Sequence, residues 1–122
     1  MRMNRVLAGS LLALLLVVGA KACYAEQGAA IVRSPIRGVL CDRYMCANNK
    51  GISRQLTQRY LGDRAAETLF SQGDFSRTQF TFANGVFCDV EARVCRQDRY
   101  FDTNGKRSAT ISTKYTALLF GQ

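Results

Sequence analysis

The chain contains no histidine and no tryptophan, and carries only 9 acidic residues against 17 basic ones. Without imidazole it lacks the commonest general base and the commonest metal ligand. No Cys-x-x-Cys pair is present to form the usual redox centre, and no Gly-x-Ser-x-Gly or Ser-x-x-Lys run supplies an activated nucleophile. The main uncharged apolar stretch, Val6 to Ala20, falls short of the ~18 to 20 residues of a membrane span. Metal, cofactor and membrane-spanning chemistry are therefore not expected.

What is present begins with that same short apolar stretch. Arg2 and Arg5 precede it, and Cys23-Tyr24-Ala25 ends in the small residue that a signal peptidase requires. These features predict an export signal over 1–25 and a periplasmic destination. Cleavage behind Ala25 removes Cys23 and leaves Cys41, Cys46, Cys88 and Cys95, an even set in an oxidising compartment. A lipoprotein acylated on Cys23 is the weaker alternative. It puts Lys21 where a small residue is expected and lacks the usual Leu three residues before the cysteine.

Residues 26–35 are small and polar and are expected to be extended or mobile, with one domain over 36–122. Ser53 is placed to cap a helix bearing Leu56, Tyr60 and Leu61 and ending at Gly62; Asp63 is expected to cap a second, with Ala65, Ala66, Leu69 and Phe70 on its apolar face, stopped near Gly73. The period then changes. Phe80 and Phe82 alternate with Thr81, Asn84-Gly85 makes a turn, and Val86 to Val90 and Arg93 to Phe101 read as paired strands. After a turn at Thr103-Asn104-Gly105, Ser112 caps a last helix carrying Tyr115, Leu118, Leu119 and Phe120 up to Gly121. The expected class is α+β: a small disulfide-stabilised domain with a central β-meander flanked by short helices.

Cys88 and Cys95 are symmetric about Glu91-Ala92, so a hairpin folded there sets them opposite one another as a non-hydrogen-bonded pair, close enough to bridge. Cys41 and Cys46 can close a tighter ring in the same way. Four cysteines allow three pairings, and local pairing is the favoured one. Thiolate zinc ligation is disfavoured by the spacings and the compartment. The order Gly38-Val39-Leu40-Cys41-Asp42 is echoed by Gly85-Val86-Phe87-Cys88-Asp89, and Ile52-Ser53 to Gly62 by Ile111-Ser112 to Gly121. The echo points to an internal duplication over 38–62 and 85–121.

The runs at 41–46, 56–62, 80–89 and 98–108, among them Cys-Asp-Arg-Tyr-Met-Cys and Phe-Thr-Phe-Ala-Asn-Gly-Val-Phe-Cys-Asp, resemble the Fels prophage protein-like (YcgJ-type) family of small exported enterobacterial proteins. The resemblance covers nearly all of the chain after residue 25. It implies a periplasmic, cysteine-paired protein and supplies no catalytic residues to carry over.

Three candidates for chemistry remain. The run Tyr100 to Gly105 resembles the start of a calcium loop, but Tyr100 and Ile111 fall where carboxylates are needed, so it is read as a turn. Asp42 and Asp89 occupy matching places in the two hairpins; they are expected to cap turns, the alternative being a hydrolase that uses one of them. Arg93, Arg96, Arg99, Lys106 and Arg107 lie on or near one hairpin with Tyr100 and Phe101 between them. Of these, Arg93, Arg99, Lys106 and Arg107 form a candidate surface for an anionic envelope component or an acidic protein partner, against the plainer reading of solvated charges guarding an edge strand. The charge balance is not that of a nucleic-acid binder. The leading expectation is a non-enzymatic, inhibitor-like binding protein of the cell envelope, with a structural envelope component as the further alternative.

Overall fold

Asp42 starts the first hairpin. Its Oδ1 accepts hydrogen bonds from the backbone N–H groups of Tyr44 (2.7 Å) and Met45 (2.9 Å), which bends the chain tightly enough to set Cys41 opposite Cys46. The computed structural model describes residues 31–121. The export signal expected over 1–25, Cys23 with it, and residues 26–30 lie outside them. Strands β1 (Leu40–Cys41), β2 (Cys46–Asn48) and β3 (Gly51–Ile52) form one antiparallel sheet in that order, with the Cys41–Cys46 disulfide across its first turn. Gly51 sits at φ 119°, where a Cβ would lie 2.2 Å from the Arg77 carbonyl oxygen, so only glycine fits. Order reaches further back than Ile36: Arg33 and Cys41 exchange backbone hydrogen bonds of 2.9 and 2.8 Å.

Helix α1 (Arg54–Leu61) follows, capped by Ser53 Oγ, which accepts from Leu56 N–H. Leu56, Tyr60 and Leu61 pack on Val39 and the Cys41–Cys46 bridge. Helix α2 (Asp63–Phe70) starts immediately after Gly62. Asp63 is not its cap. Gly62, at φ 101°, both ends α1 and begins α2, and Asp63 instead accepts a hydrogen bond from Gln58 Nε2 (2.8 Å). The helix stops at Phe70, ahead of Gly73.

The second sheet, in order β4 (Gln79–Thr81), β5 (Phe87–Asp89) and β6 (Val94–Arg96), pairs Cys88 with Cys95 and is bridged there. Helix α3 (Thr113–Phe120) is capped by Ser112 and ends on Gly121 in the left-handed region. The class is α+β, but the single meander expected from the sequence is two three-stranded ones. The strand expected over Arg93 to Phe101 is cut to three residues. Arg93 sits in the turn at φ 55°, and the backbone leaves the sheet after Arg96.

The two cystine hairpins share one bonding scheme. Bridged cysteines stand only 4.1 and 4.0 Å apart at Cα, the close spacing of a non-hydrogen-bonded pair. The second cysteine's peptide groups therefore need partners elsewhere, and the following helix supplies them. Cys46 N–H donates to Thr57 Oγ1 (3.0 Å) and Ser53 N–H to Cys46 O (3.0 Å); Cys95 N–H donates to Thr116 Oγ1 (2.9 Å) and Ser112 N–H to Cys95 O (2.8 Å). Outer pairings correspond too: Arg33↔Cys41 matches Phe80↔Cys88, and Ala47↔Ile52 matches Arg96↔Ile111. Leu40, Met45, Ala47 and Ile52 from the first half meet Phe80, Phe82, Val86, Leu119 and Phe120 from the second in a shared core.

Candidate functional site

All four bridged cysteines have no solvent exposure, so the sulfurs serve the fold rather than a reaction at the surface. Asp42 is 4% exposed, and besides its own turn it accepts a 2.7 Å hydrogen bond through Oδ2 from the backbone N–H of Ala83. Asp89 Oδ1 accepts from Glu91 and Ala92 N–H, and its Oδ2 from Gln79 Nε2. Both carboxylates hold turns, and their oxygens are engaged by the chain itself.

The structure separates the basic residues that the sequence groups together. Arg93 leaves the hairpin turn toward α3, donates to Phe120 O (3.2 Å) and lies 5.2 Å from the Phe120 ring. Arg96 and Arg107 stand toward the other end of the hairpin, by Phe87; Arg96 pairs with Phe87 across the strands and donates to Ala109 O (3.0 Å). Arg107 packs against the rings of buried Phe87 (4.1 Å) and exposed Phe101 (4.0 Å) and donates to Arg99 O. Arg99 lies 5.5 Å from the Tyr100 ring, and Lys106 is exposed at the turn. Arg99, Lys106 and Arg107 share one loop. Arg93 does not belong to it.

That loop, residues 97–110, is what distinguishes the second half. The first half joins its cystine hairpin to its capped helix through a short turn at Asn49-Lys50, whereas the second makes a long excursion between Arg96 and Ile111. Its stem is closed by Gln97 N–H to Thr110 O (3.0 Å), and its tip by Asp102, whose N–H donates to Lys106 O (2.7 Å) while Oδ1 accepts from Asn104 and Lys106 N–H. Ser108 N–H donates to Tyr100 O (3.1 Å). This bonding leaves Tyr100 and Phe101 at 60% and 59% exposure. In the sequence these aromatics stand out only as residues between charges. The signal that singles them out is the longer second spacer between matching cysteine and serine positions.

A family model described as YcgJ protein matches residues 32–120, which includes both cystine rings and the whole excursion. The chain belongs to the YcgJ family. Its similarity to the YcgJ protein of Escherichia coli strain K12 is 53% identity over 89 residues, covering 73% of each chain. No solved structure matches this YcgJ-family chain. No described helix is long and apolar enough to cross a membrane.

Proposed function

We propose that this YcgJ-family chain is an exported, non-enzymatic binding protein of the cell envelope that engages a partner protein through the 97–110 excursion. The observation that carries the reading is the exposure of Tyr100 and Phe101 on a loop closed by its own hydrogen bonds. Large aromatics held in place give contact area at little entropic cost, and such residues dominate binding energy when a partner pocket covers them. Arg99, Lys106 and Arg107 around them favour an acidic cleft. A small domain closed by disulfides and presenting one ordered loop is a format that can fill such a cleft without a catalytic group, which is the inhibitor-like reading. Duplication of one cystine-hairpin and helix unit, followed by lengthening of the second connection, accounts for the loop's place in the fold.

The test is retention of envelope proteins on the immobilised protein and on a Tyr100→Ser/Phe101→Ser variant. Loss of a retained protein with the variant supports the reading; an identical retained set contradicts it.

A further inference from the structure

A second surface, sharing no residue with the excursion, lies on the first half. The hairpin turn presents Arg43 and Tyr44 across an open groove of about 430 Å³ from α2. On that helix Arg64 and Thr68 repeat at four-residue spacing, continued by Gln72 just beyond it, with Ala65 and Leu69 alongside as apolar floor. Arg43 also forms a wall of a neighbouring groove of about 370 Å³ with Ile31, Arg33 and Leu61. Asp42 lines it as well, but its oxygens already accept three backbone N–H groups. The surface thus sets the exposed apolar residues Ile31 and Tyr44, 54% and 57% exposed, among three guanidiniums.

We propose that this double groove binds an extended acidic segment of a partner protein. In an extended chain, alternate side chains point the same way roughly 7 Å apart. An apolar-x-acid-x-apolar run would therefore place its carboxylate on Arg43, where a bidentate pair forms, and one apolar side chain in each groove. Arg33 and Arg64, on the outer walls, set the requirement for negative charge over the whole segment.

The probe is a synthetic peptide containing Leu-Ser-Glu-Ser-Leu, titrated into the isotope-labelled protein and followed by amide chemical shifts, beside the same peptide with Gln for Glu. Shifts are expected at Arg43, Tyr44, Arg64 and Leu69, with the Gln peptide binding about tenfold more weakly, as loss of a charge-assisted pair implies. Arg43→Glu/Arg64→Glu, changes at two exposed positions, abolishes those shifts, and Tyr100→Ser/Phe101→Ser leaves them in place. Equal affinity for both peptides, no shifts at millimolar peptide, or shifts confined to 97–110 overturns the groove assignment. The last of these would leave the excursion as the binding surface, so the two proposals fail separately.

Discussion

The Asp42 carboxylate and the Ala83 N–H, 2.7 Å apart, tie the turn of the first hairpin to the segment that opens the second. Because the same carboxylate holds Tyr44 and Met45 N–H, one buried group fixes both a turn and the fit between halves. Asp42→Ala is expected to lower stability by about 2 to 4 kcal/mol, as several donors lose a charged acceptor at once. Asp89→Ala, whose turn is more exposed, should lose about 1 kcal/mol or less. Urea unfolding midpoints at constant slope separate the two, and equal losses would refute the tie.

The matching threonines give a second expectation. Thr57→Val and Thr116→Val each keep the side-chain shape but strand a buried cysteine N–H, at a cost of about 1 to 3 kcal/mol. Serine at either position keeps the acceptor and should recover most of the loss. If valine is neutral at one site and costly at the other, the two units are not held by a common scheme.

Disulfide connectivity can be read from a non-reducing tryptic digest, since Arg43 and Arg93 lie inside the two rings. Peptide 38–43 should be found linked to 44–50, and 78–93 to 94–96. Replacing either pair by serine is expected to cost about 2 to 2.5 kcal/mol from loop entropy. A link between 38–43 and 78–93 would contradict the fold.

Arg107 and Lys106 are adjacent yet should behave differently. Arg107 packs on both the Phe101 and Phe87 rings and so links the excursion to the hairpin; Arg107→Ala therefore removes a contact of about 1 kcal/mol and should raise cleavage by chymotrypsin at Tyr100 and Phe101 about fivefold. Lys106→Ala, at an exposed turn, should leave cleavage unchanged. Equal sensitivity in the two variants would mean that Arg107 does not anchor the excursion.

Local chemistry made much of this fold legible in the sequence. Ser53 and Ser112 cap helices because a hydroxyl reaches an N–H three residues on, and Asn84-Gly85 turns because Gly85 takes φ 93°. The symmetric placement of Cys88 and Cys95 about their turn favours, among three possible pairings, the one the structure has. Failures arose where a neighbouring element changed the rule. Gly62 serves two helices, which leaves Asp63 no cap position. A strand running from Arg93 to Phe101 would set Arg93 and Arg99 on one face, but Arg93 lies in the turn and the strand ends at Arg96, so that alternation does not carry across. Asp42's reach to Ala83 and the seat of Arg107 on Phe87 depend on packing between distant segments, which no local pattern encodes.

The most direct test of the binding reading is site-specific photocrosslinking in cells that produce the full chain. A photoreactive residue at Tyr100 should yield a discrete adduct, while the same residue at Glu91, in the exposed turn of the second cystine hairpin, yields none. Adducts of the same pattern from both positions, or none from Tyr100, would contradict a partner seated on the 97–110 excursion.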